Sequence, residues 1–400
     1  MKDRQPTQPG RVKLTPENGT APFYAVMEMA DEPTEIGTPP TKANLLQDET
    51  EHALFGNIAD RTVNDAFANI AKELSVLRLK VDDVATLSVT LNSTQGNPLA
   101  NVQILGMFDE DGNTCATNAS GVASGYVIAG NVTLSVSNYA DIVDYSETFV
   151  AEAGRSYTRA MTVTTRNFLK LTISKNVKFS DNVQRVDVSL GGGGGGGGGG
   201  QGYSYFGGGA GGGGGDAIVQ ENVDFTTNTS YTAMIGAGGS GGGATASGTS
   251  GGATTFMGLT ATGGSYGRSS GGAGGAGNGT GGNGATWSAS NGYTDAGNGV
   301  SGSVQVYTSM TDTALYGGGG GGGAYGSYSA TNNGTGGSPN GADGGIASST
   351  TSVGNGGSAT AGTGGGGGGG SALKSGSGYS AKGGAGGSGM VAIRMHLNVA

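Results

Sequence analysis

Pure glycine runs constrain the fold of this chain more than any other feature. Of the 88 glycines in the 400 residues, 77 follow Leu190. Each glycine costs roughly 1 kcal/mol relative to alanine inside a helix, and glycine has no side chain to bury in an ordinary core. The runs therefore predict either a flexible tether or closely packed extended backbones. The uninterrupted runs are 191–200, 211–215, 317–323 and 364–370.

Short strand-like segments interrupt the glycine and favour the packed alternative, because a flexible linker would lack them. Poly-glycine can form an extended helix of three residues per turn without internal hydrogen bonds, so that its amides must pair laterally. We expect residues 167–400 to form one glycine-rich domain of polyglycine-II helices with β-strands, in which 191–200, 317–323 and 364–370 lie side by side. The strand-like segments are 217–225, 230–238, 253–262, 303–310 and 389–397.

The chain before residue 61 is polar and turn-rich, with two strand-like stretches at 11–14 and 23–29. A heptad seam then follows, in which apolar residues alternate at spacings of four and three. It predicts a coiled-coil helix over 61–85 that holds subunits together, with a lone packed helix as the alternative. The seam residues are Val63, Phe67, Ile70, Leu74, Leu77, Val81 and Val84.

Residues 86–166 change to the period of two that is typical of strands. Six or seven short alternating segments are separated by turn signals such as DEDGN and NASG. Turns at a spacing of about ten residues indicate a small β-sandwich. The expected fold class is therefore mainly β, with several domains.

Composition narrows the possible partners and chemistry. The net charge of −9 argues against nucleic acid, which requires a basic surface. The single cysteine, Cys115, excludes a disulfide framework. No run of 18 apolar residues is present, so we expect no membrane insertion. The opening MKDRQPTQPG lacks the apolar core of a signal peptide, so we expect synthesis in a cytoplasm.

The sequence offers no pattern for catalysis or for a metal. An EF-hand loop beginning at Asp109 would need a glutamate at position twelve, where Ser120 stands. His52 and His396 are the only histidines, too few for a histidine-based metal site. The acids of the glycine-rich half are scattered, which gives little support to cleavage of a surface polymer. We expect no cofactor and no enzymatic activity.

Three stretches together resemble a known family. The opening PGRVKLTPENGTAPFYAVMEMADEPTEIGTPPTKANLL resembles the virion-attaching part of tail proteins from bacteriophages and prophages of Gram-positive hosts. GNPLANVQI, DGNTCATNASGVAS and GNVTLSVSNY resemble the carboxypeptidase-regulatory-like (transthyretin-like) domain. The glycine-rich half resembles the C-terminal domains of phage tail fibres and adhesins.

This resemblance implies a tail fibre that is assembled in the host cytoplasm and resides in the virion. Residues 1–60 would attach it to other tail or baseplate proteins, and the glycine-rich tip would bind a host cell-surface polysaccharide or protein. Such fibres are usually homotrimers. The seam has only about three heptads, so any stalk is short. A monomer that caps a separate fibre is the alternative. The alternative is a purely structural tail component, a spacer or cap without receptor contact.

Aromatic residues between the glycine runs are the candidate receptor contacts. Tyrosine and tryptophan give large contact area at low entropy cost, and serine, asparagine and glycine adapt their hydrogen bonds, as in antibody paratopes. For any single tyrosine a place in the core remains the alternative. Phe225, Tyr231 and Phe256 lie in strand-like segments and are expected in the core. The candidate contacts are Tyr203, Tyr205, Phe206, Trp287, Tyr293, Tyr325 and Tyr328.

Overall fold

Every regular element that the structure describes is a β-strand. The expected mainly-β fold class is thus confirmed for these residues. The seam positions Val63, Phe67, Ile70, Leu74, Leu77 and Val81 lie outside them. The structure, a computed structural model, describes residues 12–17, 24–29, 83–202, 207–269, 271–288, 292–326, 332–347, 352–373 and 381–398.

The predicted helix is wrong at its C-terminal end. Val84 is the first residue of strand β3 (Val84–Ser93), and it pairs with Ile128. The alternating pattern of this strand begins earlier than expected, because Ala85 and Leu87 already point into the core. A β-branched valine fits such a half-buried strand well. Two strands precede it, β1 (Val12–Glu17) and β2 (Tyr24–Met29), which pair in antiparallel fashion.

Residues 84–163 form one nearly closed sheet around a single apolar core. Six strands follow β3: β4 (Gln103–Phe108), β5 (Thr114–Ala116), β6 (Val122–Ile128), β7 (Gly130–Val136), β8 (Tyr145–Ala151) and β9 (Ser156–Val163). Neighbours follow the order β8-β7-β4-β6-β3-β9, and β5 pairs with β4. The β3–β9 pair is parallel, which places the first and last strands of this unit side by side. The alternation that predicted a small sandwich is therefore present as strands, which are connected into one nearly closed, curled sheet.

Fourteen further strands belong to the glycine-rich part of the chain. They are β10 (Phe168–Leu171), β11 (Lys175–Val177), β12 (Val183–Gly191), β13 (Ala217–Gln220), β14 (Tyr231–Ala233), β15 (Thr254–Phe256), β16 (Leu259–Ala261), β17 (Thr286–Ser288), β18 (Gly292–Thr294), β19 (Gln305–Tyr307), β20 (Thr313–Leu315), β21 (Tyr325–Gly326), β22 (Ala372–Leu373) and β23 (Met390–Leu397). Four of them form an antiparallel sheet in the order β10-β23-β12-β13. This sheet is the base from which the glycine runs extend.

An aromatic cluster packs beside this sheet. The ring of Phe179 lies 5.0 Å from that of Phe225 and 5.9 Å from that of Tyr231. The rings of Tyr231 and Phe256 are 6.5 Å apart and edge-on. Such tilted pairs add to the free energy gained by burial alone. The expectation that Phe225, Tyr231 and Phe256 are core residues is confirmed.

Buried polar contacts join the curled sheet to the glycine-rich part. The guanidinium of Arg166 donates to the carbonyls of Tyr139, Ala140 and Ile142 at 2.7 to 3.0 Å. The carboxylate of Asp141 is fully buried and accepts a 3.1 Å hydrogen bond from the Ser180 N–H. Burial raises the pKa of Asp141, whereas the bonds from Ser180 and the charge of Arg166 oppose that rise. These hydrogen bonds hold the two units together; those between Asp141 and Ser180 are buried, and those of Arg166 are partly buried.

Candidate functional site

Residues 191–200 form a fully buried extended rod. Each N–H from Gly192 to Gly200 donates to a neighbouring carbonyl, and the same neighbour recurs at every third residue. Gly195 donates to Gly213 and Gly198 donates to Ala210, both at 2.8 Å. This repeat agrees with the expected helix of three residues per turn. The rod donates to 210–216, 246–252 and 381–387, and it accepts from 239–245, 264–267 and 367–370.

Three further glycine rods complete the interior of a lattice. The rod 207–216 contains the predicted run 211–215, and its Gly212 donates to Gly367 at 2.8 Å. The run 364–370 bonds to both other runs, because Gly367 donates to Gly195 and Gly369 donates to Gly321, each at 2.9 Å. The runs 191–200 and 317–323 therefore both contact 364–370, and the rod 207–216 lies between them, because Gly195 donates to Gly213 and Gly320 donates to Gly212. Lateral bonding, not a tether, is what the glycine provides.

The interior positions have no room for a side chain. A Cβ added at Gly195 would lie 2.0 Å from the Ser265 carbonyl oxygen, and one at Gly212 would lie 2.1 Å from that of Gly195. Real Cβ atoms essentially never approach another heavy atom closer than 3.0 Å. At these positions the neighbouring rods lie so close together that only glycine fits.

The lattice grows directly out of the base sheet. Gly191, the last residue of β12, pairs with Ala217 on one side and with Met390 on the other. The same two neighbours continue along the rod, since Gly192 donates to Asp216 and Gly194 donates to Gly387. We call this end, at Gly191, the sheet end of the lattice.

The opposite end, at Gly200, is the distal end. Here Gly200 donates to Ala381, and Gln201 donates to Gly207. The adjoining rods reach the same level, because Gly208 donates to Ala285 and Ala324 donates to Gly345. Strand β21 pairs with β22 in parallel beside them. The described ends of these rods thus meet at one face of the protein.

The predicted contact residues fall into three groups. Tyr203, Tyr205, Phe206 and Tyr328 lie outside the described residues. Trp287 and Tyr293 are directly opposite each other in the β17–β18 hairpin. This hairpin leaves the lattice at Ala285, whose N–H donates to Gly323 at the distal end.

Tyr325 is not a surface contact. Its side chain is 0% exposed and packs with Ala285 and Ala372. The two alanines leave the space that the ring fills, so Tyr325 belongs to the core of the distal end. The alternative that the sequence left open for any single tyrosine holds for this one.

Side-chain caps along the lattice edge were missed by the sequence analysis. Asp295, Asn298 and Ser301 accept hydrogen bonds at 2.9, 2.9 and 3.2 Å from the backbone N–H groups of three residues on the next rod. Each capping side chain accepts a hydrogen bond from an N–H group that would otherwise need the carbonyl of a further rod. The signal was available, because the polar residues of DAGNGVS recur at the same spacing of three. The capped residues are Asn332, Thr335 and Ser338.

The lattice presents backbone amides and short polar side chains. No group of three or more histidine, cysteine, aspartate or glutamate side chains that could hold a metal occurs in the described ranges. The same residues include no helix with the length and apolar character that crossing a membrane requires. At the distal end the described rods present backbone amides, and the β17–β18 hairpin follows Ala285 there.

The model of the glycine-rich domain family matches residues 171–396, more than half of the chain. This range begins in β10, at the base sheet, and ends in β23, so it includes every glycine rod. No curated protein matches the chain. The chain belongs to the glycine-rich domain family.

Proposed function

We propose that this protein is a phage-type tail fibre or receptor-binding protein, which attaches a virion to a host cell surface through the distal end of its glycine lattice. It acts by adhesion. The N-terminal region anchors it to other tail or baseplate proteins, and the curled sheet, which resembles carboxypeptidase-regulatory-like domains in sequence, serves as a spacer. The homotrimer remains a prediction from the resemblance.

One observation carries this proposal. The connections between rods differ at the two ends: the sheet end is closed by the base sheet and its aromatic cluster, whereas the distal end carries connections rich in tyrosine, serine and asparagine. A scaffold held by backbone hydrogen bonds tolerates variation in such connections, because their side chains do not support the rods. That is the arrangement a receptor-binding surface needs. Several copies on one virion would add avidity to weak single contacts.

The test is binding of the full chain to intact cells. A fluorescent full-length protein is titrated onto a panel of Gram-positive cells, and the double variant Trp287→Ala/Tyr293→Ala is compared with it. We expect binding to fall roughly tenfold or more, since aromatic anchors dominate such interfaces. Tyr266→Ala is the matched control, because Tyr266 is 40% exposed on a rod halfway along the lattice.

Three results would contradict the proposal. Binding that the double variant leaves unchanged would exclude the hairpin as a contact. A full chain that binds no cell of the panel, yet is needed for tail assembly, would favour the structural alternative. Release of soluble sugar or peptide fragments from the cells would indicate an enzyme.

A further inference from the structure

A groove of about 450 Å³ lies on the curled sheet, away from the glycine lattice. Three adjacent strands form its floor, β6, β3 and β9, in that order. Its volume falls within the ~300–1,000 Å³ of small-molecule sites. The residues that line it include Thr86, Ser88, Ser124, Tyr126, Ser156 and Thr158.

The strand register sets these hydroxyl side chains in two rows across the floor. Thr86 pairs with Tyr126 on one side and with Ser156 on the other. Ser88 pairs in the same way with Ser124 and Thr158. Ala85 and Leu87, the intervening residues of β3, point into the core. The outer face of these strands is therefore a ladder of six hydroxyl groups.

The ladder retains hydrogen-bonding capacity for a ligand. Thr86 Oγ1 donates to Ser156 Oγ at 2.7 Å. This bond uses one proton, so the Ser156 hydroxyl can still donate and the Thr86 oxygen can still accept. This pair of hydroxyl groups can therefore both donate to and accept from the hydroxyl groups of a sugar. The ring of Tyr126, which is partly buried, adds an apolar surface.

The charge of the rim selects against anions. Asp109 and Glu110 line the groove, and no lysine or arginine does. Asp109 shapes the turn, because its carboxylate accepts from the N–H groups of Asp111 and Asn113. Glu110 is exposed and lies at the rim, where its carboxylate can accept from a ligand hydroxyl. A phosphate, sulfate or uronic acid in the groove would be repelled by the negative charges of Asp109 and Glu110.

We propose that this groove is a binding site for a neutral saccharide. The hydroxyl ladder bonds to the sugar hydroxyls, Glu110 accepts from them at the rim, and the Tyr126 ring packs against the face of the pyranose. The site is separate from the distal end and does not rest on the function proposed for it.

The full chain is titrated with three neutral trisaccharides, maltotriose, cellotriose and tri-N-acetylchitotriose, by calorimetry and saturation-transfer NMR. We expect at least one to bind with a dissociation constant of about 1 mM or tighter. Ser88→Val and Tyr126→Ala should each weaken it by about tenfold. Ser88→Val removes the hydroxyl and places a residue that strands favour in β3, so its effect on binding can be interpreted even if Tyr126→Ala disturbs folding.

Thr133→Val is the matched control. Thr133 is an exposed threonine on β7 whose hydroxyl lies 3.2 Å from that of Thr148, outside the groove. The control should bind like the unaltered chain. The proposal is overturned if none of the three sugars binds, or if Ser88→Val and Tyr126→Ala leave the affinity unchanged. The latter result would place any sugar binding elsewhere, including the distal end.

Discussion

The phenol of Tyr316 donates a 2.9 Å hydrogen bond to the carbonyl oxygen of Gly192. Its ring occupies the space that a Cβ would need at Gly191 and at Gly364. The side chain is 2% exposed, and burial raises the pKa of the phenol above its ordinary value. The hydroxyl therefore remains protonated and donates at neutral pH. Tyr316 thus fills the space between the rods that begin at Gly191 and Gly364, at the sheet end of the lattice.

Tyr316→Phe should destabilise the protein by about 1–3 kcal/mol. The ring would remain, but the buried Gly192 carbonyl would lose its donor, and an unsatisfied buried acceptor costs about that much. Urea unfolding of the full chain measures the change. Tyr266→Phe, at an exposed tyrosine, should leave the midpoint where it is. Equal effects of the two variants would show that the hydrogen bond contributes nothing.

Gly195→Ala should prevent the lattice from forming or destabilise it by more than about 3 kcal/mol. Its Cβ would lie 2.0 Å from a backbone oxygen, and overpacking already costs about 1–3 kcal/mol where side chains can move aside. Gly243→Ala is the matched control, because a Cβ there meets nothing within 4 Å. It should be neutral or stabilise by about 0.4–1 kcal/mol through the unfolded state. Thermal unfolding followed by circular dichroism distinguishes the two.

Arg166→Lys should loosen the junction between the curled sheet and the glycine-rich part. Arginine reaches three carbonyls with its planar fork, and the lysine ammonium cannot reproduce that geometry. We expect a loss of about 1–3 kcal/mol and faster amide exchange at residues 138–142. The exposed Arg155, paired with Glu152 at 3.4 Å, provides the comparison. Arg155→Lys should change the stability little, as for most surface ion pairs.

Asp187 should make the base sheet sensitive to acid. Burial alone would raise its pKa, but hydrogen bonds from the Asn222 N–H and from His396, with the charge of Arg185, lower the pKa overall. A lowered folded pKa stabilises above the unfolded value of about 3.9, and the stabilisation is lost as the pH falls through the folded pKa. Asp187→Asn should therefore lower the stability at pH 7 and flatten its decline below about pH 4. Unfolding of both proteins across that range tests this, and parallel curves would contradict it.

Much of the lattice could be predicted from the sequence, because the lateral hydrogen bonding follows from the composition of the glycine runs themselves. The run 191–200 has no side chains, so lateral bonding by its amides was the only way to bury it. Its neighbours could not be predicted, since poly-glycine carries almost no register information. The pairing of Gly195 with Gly213 is fixed from outside the run, by the register of β12 with β13 at the sheet end.

The candidate site was only partly predictable, for two physical reasons. An aromatic residue among glycines can point outward or fill a gap, and Tyr325 fills one between Ala285 and Ala372 that no spacing rule reveals. The seam was wrong at its last position, Val84, because valine suits both a heptad and a strand. The groove at Ser88 and Tyr126 could not be predicted, because its two rows of hydroxyl groups depend on which strands are neighbours in the sheet.

The capped edge of the lattice should prevent the glycine lattices of different molecules from pairing edge to edge. Exposed backbone amides at an edge can pair with another chain, as edge strands do. Asp295, Asn298 and Ser301 occupy three such amides in succession. Their triple replacement by alanine should cost about 0.5–1.5 kcal/mol per bond and produce species larger than those of the unaltered chain in sedimentation velocity. Ser250→Ala, at another exposed serine in the lattice, should leave the sedimentation profile unchanged. A triple variant that is destabilised but sediments like the unaltered chain would limit the caps to a role in stability.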